Sequence, residues 1–278
     1  MISRLTANKT RAAKVFLSAF LILIAAVAAY AFLVLKHDPS LVDLNERLLP
    51  ISWQHPFGTD HLGRDMLTRI LLGFQLTVGY GFLALLLAVA IGVPIGVIAG
   101  FKGSLVDRLL MRVADAFLAF PDTVVAIVLS GLLGAGIENL LFAIILVKWV
   151  NYARLTRSTV VAERQKDYIT MAKINGLSEW RIMWKHLFPH LIGHILVLAS
   201  LDLGKIILLI SSLSYIGLGA QPPAPEWGAM LNEARPYFQT VPALMVYPGL
   251  AIVTVVLFSN VLGDYLRDKF DVKKEVAE

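Results

Sequence analysis

The sequence predicts an all-α membrane protein, a polytopic helix bundle with about six transmembrane helices. Three observations carry that prediction. Hydrophobic residues make up 57% of the 278 and charged residues only 16%, where a water-soluble globule carries about a quarter charged. The stretch from Ile70 to Phe101 holds no charge at all. The cations, finally, are distributed unevenly between successive connecting segments, the signature of a chain inserted with a fixed side toward the cytoplasm. Cysteine is absent, which excludes disulfides, thiolate metal sites and cysteine nucleophiles.

The first span covers 15–35, following a basic segment at 1–14 that contains Arg4, Lys9, Arg11 and Lys14. As a helix its 21 apolar residues reach about 31 Å, enough to cross the hydrocarbon core. It is longer than a signal peptide's apolar stretch and ends at Leu33-Val34-Leu35-Lys36 without a small-residue cleavage site, so it reads as a retained helix. The second span covers 74–101. Gly92, Pro94, Gly96 and Gly100 lie inside it, as lipid tolerates when neighbouring helices pack closely. A third span is expected over 109–135, a fourth over 139–160, a fifth over 189–217 and a sixth over 241–264. Asp115, Asp122 and Lys148 interrupt the third and fourth.

Six spans place both termini on one side. With that side cytoplasmic, 18 lysines and arginines fall on inner segments and five on outer ones, Lys148 and Lys205 lying within spans. The positive-inside rule selects this orientation, so the net charge of +5 is a topology signal and the partner it implies is the bilayer, with no nucleic acid. The chain divides into a cytoplasmic N-terminus (1–14), the first helix (15–35), an extracytoplasmic segment (36–73), a five-helix core (74–264) and a cytoplasmic tail (265–278).

Between spans four and five lies a charged inner loop at 162–188. Tyr168, Ile169, Met171, Ala172 and Ile174 form one apolar helical stripe. Asn175-Gly176 stops that helix, with Gly176 expected at positive φ or in a tightly packed turn. Ser178 reads as the N-cap of a second helix carrying Trp180, Ile182, Met183 and Trp184. Pro189 suits the first turn of the next span. A helix-turn-helix of this kind is either a docking surface or a pair of interfacial helices that snorkel their lysines.

The loop resembles that of bacterial ATP-binding-cassette importer permeases, whose pattern is Glu-Ala-Ala, three residues, Gly, nine residues, Ile-x-Leu-Pro. Ala172, Gly176 and Pro189 match at the right spacing, while Thr170 stands for the glutamate, Met171 for the first alanine, His186 for the isoleucine and Phe188 for the leucine. Outer segments resemble the dipeptide, oligopeptide and nickel permease subfamily: His55-Pro56-Phe57-Gly58-Thr59-Asp60-His61-Leu62-Gly63-Arg64-Asp65, the stretch from Ser214 to Asn232, Pro248-Gly249-Leu250, and Leu262-Gly263-Asp264-Tyr265-Leu266-Arg267-Asp268. The likeness runs in order over 15–271.

The resemblance implies a type I importer permease core in a bacterial inner membrane, and half of a transporter. A homologous second permease would complete the path, two ATPase subunits would dock on the inner loops, and an extracytoplasmic binding protein would deliver cargo. It marks Tyr168, Thr170, Met171, Ala172, Gly176, Trp180 and Pro189 as the ATPase-coupling set. No Gly-x-x-x-x-Gly-Lys-[Ser/Thr] loop occurs in the chain. ATP and Mg are therefore expected on the partner ATPases, and this chain is expected to bind no cofactor and to be no enzyme. An ion-coupled secondary transporter would usually show an internal repeat, which is not seen here. A membrane enzyme would need a clustered acid, base and nucleophile.

Several polar residues carry alternative readings. Asp202 and Lys205, three apart in span five, are a structural ion pair or line the pathway, because an isolated charge at bilayer depth costs about 2.5–3.5 kcal/mol. His186, His190 and His194 recur every fourth residue, but Pro189 interrupts them and no acidic ligand adjoins, so no metal site is assigned. Gly58-Thr59-Asp60 and Gly63-Arg64-Asp65 read as turns with Asp65 as a helix cap, or as contacts for the binding protein. Trp227 reads as a membrane-interface anchor, and Asp122, after Pro121, as a helix cap.

For cargo, Asp202 and Ile210 depart from peptide permeases, which read roughly Gly-Leu-Ala-Gly-Ala-Ile-Leu-Thr-Glu-Ala where this chain has Asp202 to Ser211. Trp149-Val150-Asn151-Tyr152-Ala153-Arg154 and Leu196 to Asp202 look more like nickel-type members. The expectation is nickel or a related transition metal, free or chelated, with di- or oligopeptides as the alternative.

Overall fold

The computed structural model describes residues 41–275, with side chains to residue 270, and before them Ser18, Ile22, Ala25 and Ala29, which are helical. The predicted N-terminus at 1–14 and the rest of the predicted first span at 15–35 lie outside the described residues. Among the described residues nine α-helices follow in order: α1 (Met66–Lys102), α2 (Ser104–Leu118), α3 (Asp122–Leu133), α4 (Ile137–Arg164), α5 (Asp167–Ile174), α6 (Glu179–Ile182), α7 (Phe188–Tyr215), α8 (Trp227–Ala234) and α9 (Ala243–Glu275). Among the described residues there is no strand, only an isolated bridge between Thr59 and Asp65. The chain is an all-α bundle.

Among the described residues three helical paths are long and apolar enough to cross a membrane, α1, Glu179–Tyr215 and Ala243–Phe270 within α9, or four if the bent pair Ser104–Leu118 and Asp122–Leu133 is one span. The third predicted span, 109–135, is not one helix. It divides at Ala119-Phe120-Pro121 into α2 and α3, bent 82° from one another. Pro121 has no N–H to extend α2 and instead takes the N-cap position of α3, leaving Asp122 as the first residue inside the helix. Asp122 is therefore not the cap that its place after Pro121 suggests.

The fourth predicted span, 139–160, falls in α4, which is charged for a spanning helix. Three of its cations meet carboxylates of α2 and α3. Lys148 Nζ donates to Asp122 of α3 (2.8 Å), Arg157 Nε donates to Asp107 of α2 (2.5 Å), and Arg154 lies 3.6 Å from Asp115. Because α4 sits centrally, against α1, α2, α3 and α7, its side chains meet protein on several sides.

The most extensive packing is between α1 and α4. Gly92, Gly96 and Gly100, one turn apart, bring the α1 backbone against Trp149, Tyr152, Ala153, Thr156, Arg157 and Val160. Without a hydrophobic force between helices in lipid, close backbone contact of this sort supplies dispersion energy that larger side chains would prevent. The main core gathers Ala84, Leu85, Ala88, Leu140, Ile144, Tyr152, Ile206 and Ile210 from α1, α4 and α7.

Pro189 lies in the first turn of α7, as its place in the sequence suggests, but the helix does not begin afresh there. The helix runs on from α6 through a π-helical turn at Met183–Leu187 into α7, with Pro189 at its second position. At this position the missing proline N–H is tolerated, because the first-turn donors of a helix have no partner within it. Trp227 is buried rather than at a membrane interface. Its Nε1–H donates to the Ile70 carbonyl (3.0 Å), fastening α8 beneath α1.

Candidate functional site

The inner loop is built around a small core of its own. Val160, Ile169, Ala172, Ile182, Leu187 and Leu191 are buried together, with Val97 and Phe101 of α1 packed against them. The single stripe predicted over 168–174 is thus two faces. Ile169 and Ala172 point inward, while Met171, Ile174 and, from α6, Trp180 stay 61%, 74% and 67% exposed. Ala172, in the predicted coupling set, packs the loop from within. Tyr168 and Trp184 lie at its rim, the Trp180 and Trp184 rings meeting edge to face 5.6 Å apart.

Gly176 forms the turn with φ of +76°, a conformation that glycine adopts without penalty. Its N–H donates to the Lys173 carbonyl (2.9 Å) and the Leu177 N–H to Ala172 (3.1 Å), closing the end of α5. The Ser178 side chain accepts from the Arg181 N–H and starts α6.

Glu163, at the end of α4, anchors this element. It accepts from Lys166 Nζ (2.7 Å) and from the Tyr168 hydroxyl (2.5 Å). Burial would raise the carboxyl's pKa, but these two hydrogen bonds and the charges of His190 and Lys166 hold it below its usual value. Burial and the same carboxylate push the Tyr168 hydroxyl up, keeping it a proton donor. The Tyr168 ring lies 6.0 Å from His186 and 6.2 Å from His190, and His194 Nδ1 lies 2.9 Å from the His190 carbonyl. The three histidines are spread over a tyrosine face and a backbone oxygen rather than converging on one point.

Arg164, which along the sequence is only one cation among many, joins the loop's start to α1. Its Nη1 donates to the carbonyls of Gly100 (3.0 Å) and Phe101, and its guanidinium stands 4.8 Å from the Phe101 ring centre. It closes the C-terminal end of α1, where orphan carbonyls favour a cation. The start of the loop is thereby fastened to the end of α1. Nothing in the sequence spacing points to it, because the contact spans more than sixty residues.

At the opposite end, two segments far apart in sequence meet. Asp65 caps α1, accepting from the Thr68 N–H (2.7 Å), and lies 2.9 Å from His55 Nδ1. Arg64 Nε donates to Asp60 (2.6 Å) and its Nη2 to Glu233 of α8 (2.7 Å), while Arg69 Nη2 also donates to Glu233 (3.0 Å). Asp60, His61 and Glu233 offer ligand atoms within 4.8 Å of one another. Their carboxylate oxygens, however, face two buried guanidinium groups, so the cluster is built as an ionic clasp. Burial, opposed by the charges of Asp60 and Glu233, lowers the His61 pKa.

Within the bundle, Asp202 is 3% exposed and accepts from the Tyr152 hydroxyl (3.1 Å) and from Lys205 Nζ (3.3 Å). The Lys205 side chain is 65% exposed at the middle of α7. The predicted pair forms, and a third member, Tyr152 of α4, joins it.

The described residues form a bundle of apolar helices with charged pairs between them and a projecting two-helix loop. The chain belongs to the family of binding-protein-dependent transport system inner membrane components, whose profile matches residues 92–274. It is similar to the nickel transport system permease protein NikC of Escherichia coli, 41% identical over 237 residues covering 85% of this chain and 86% of that one. It is also similar to the dipeptide transport system permease protein DppC of Alkalihalophilus pseudofirmus, 39% identical over 247 residues (89% and 81%). The glutathione transport system permease protein GsiD of Pectobacterium atrosepticum is 37% identical over 255 residues (91% and 85%). In fold the chain resembles the MetNI methionine ABC transporter in an inward-facing conformation, with a TM-score of 0.57 at 16% identity, covering 72% of this chain and 94% of that one. It is an inner-membrane ABC importer permease.

Proposed function

We propose that this chain forms half of the translocation path of an importer for nickel or a related transition metal, free or chelated. A homologous second permease supplies the other half, an extracytoplasmic binding protein delivers the cargo, and two ATPases grip residues 162–188. Both termini face the cytoplasm.

The observation that carries the coupling role is the open apolar face of the inner loop. Met171, Ile174, Trp180 and Trp184 stay uncovered over a packed underside, in a segment tied through Arg164 to α1. Exposed aromatic anchors on such a rigid base are what a partner pocket takes hold of. Tyr168, Thr170 and Gly176 shape that surface, and Pro189 stiffens the start of α7.

The metal reading rests on Asp202, a carboxylate held by Tyr152 and flanked by the exposed Lys205, in the stretch where the chain departs from peptide permeases. The names of the relatives include nickel, dipeptide and glutathione transport, so cargo is decided by uptake. Cells with and without the chain should differ in accumulated nickel at submicromolar external metal. Equal nickel content with a deficit in dipeptide uptake overturns the metal assignment in favour of peptides.

A further inference from the structure

We propose that the groove between α2 and α4 binds the phosphate headgroup of an anionic phospholipid. The groove encloses about 690 Å³ and is lined by Arg108 and Arg112 of α2 and by Arg154 and Arg157 of α4, with Asp107 and Asp115 among them. The two carboxylates are already engaged. Asp107 accepts both a 2.5 Å and a 2.6 Å bond from Arg157, and Asp115 lies 3.6 Å from Arg154. Arg108 and Arg112, one turn apart and exposed, have no ion-pair partner among the described residues. The groove therefore carries two guanidinium groups in excess, and a guanidinium fork matches phosphate oxygens in pairs.

A second observation selects an amphiphile over a soluble anion. Leu105, Leu109 and Val113 form an exposed stripe along α2, 70%, 69% and 46% open. At 100° per residue this stripe lies beside the Arg108–Arg112 edge, while Ala114 and Phe117 on the third face pack against α4. A phosphate seated in the groove places its acyl chains on the leucines. The groove also lies at the right depth. Arg157 is two turns before the end of α4 at Arg164, so the site is at the end of the bundle from which α5 and α6 project. On the orientation proposed above this is the inner leaflet, whose anionic lipids attract such cations.

The test uses the complete transporter, purified with its companion subunits from nanodiscs of mixed phosphatidylcholine and phosphatidylglycerol, and counts retained lipids by native mass spectrometry. The wild type should retain phosphatidylglycerol over phosphatidylcholine by about tenfold, the Arg108→Gln/Arg112→Gln pair should fall to near parity, and Arg108→Lys/Arg112→Lys should keep an intermediate preference. Both variants change exposed side chains without partners, so complex yield should not move. Equal retention of the two lipids by the wild type overturns the proposal, as does an unchanged preference in the Gln variant. Displacement of the lipid by millimolar inorganic phosphate would show a site for a soluble anion instead. Cross-linking of a cysteine at 108 to the second permease, with assembly lost in the Gln variant, would show a protein interface instead.

Discussion

Replacing Gly96 by alanine tests the packing on which the bundle depends. A Cβ at that position would sit 2.4 Å from the Ala153 carbonyl oxygen and 2.7 Å from Thr156 Cβ. Carbon needs about 3.5 Å from such neighbours, so α1 and α4 must part locally by about 1 Å. The first obstacle is backbone and cannot rotate away. Overpacking of this kind costs about 1–3 kcal/mol, and the better helix propensity of alanine returns up to about 1. The net loss should be about 1–2 kcal/mol, seen as a fall of several degrees in the melting of the detergent-solubilised complex. Gly79→Ala is the control, in the same helix but with nothing within 4 Å of the added carbon, and it should leave melting unchanged or slightly raised. A Gly96→Ala complex as stable as wild type, or a Gly79→Ala complex equally damaged, would refute the close-packing argument.

Other expectations concern the loop, the α7 cluster and the topology. Gly176→Val places a β-branched residue at φ +76° although no neighbour obstructs it, so backbone strain alone should distort the turn; transport and cargo-stimulated ATPase activity should fall severalfold while the chain still inserts, and normal uptake would contradict the coupling role. Asp202→Asn leaves the Tyr152 hydroxyl without its charged acceptor and Lys205, 65% exposed on α7, as an ammonium at bilayer depth without a counter-charge, and should lower complex yield; Asp202→Asn with Lys205→Met removes that stranded charge and should restore it. If Asp202 lines the cargo path, that double variant assembles yet fails to import metal, and normal uptake by the single variant rules the pathway role out. Single cysteines at 61 and 239 in this cysteine-free chain should react with impermeant reagents from outside intact cells, whereas a cysteine at 178 should not.

Much of the chain's organisation was legible without coordinates, because lipid imposes a rule that can be read locally. Every backbone polar group in a span must bond within its own helix, so an uncharged run such as Ile70–Phe101 has essentially one structure available. Local chemistry was equally readable at the ends of elements. Asp65 and Ser178 as caps and Gly176 as a positive-φ turn each depend only on residues three or four positions away. The pairing of Asp202 with Lys205 falls in the same range.

The sequence by itself determined an all-α membrane bundle with a two-helix loop between its fourth and fifth predicted spans. Tertiary structure decided where the charges go and which faces stay open. Lys148, Arg154 and Arg157 look like interruptions along the chain, yet they meet Asp122, Asp115 and Asp107 across the α2–α3 bend, which a one-dimensional hydropathy reading cannot pair. Tyr152 joining Asp202, Arg164 closing α1, and Arg64 and Arg69 clasping Glu233 are likewise contacts over 50 to 169 residues. The split of the loop stripe into a buried Ile169–Ala172 face and an exposed Met171–Ile174 face has the same origin. An apolar residue carries its preference for burial in the sequence, but only the neighbours that arrive in three dimensions decide which of two apolar faces is covered.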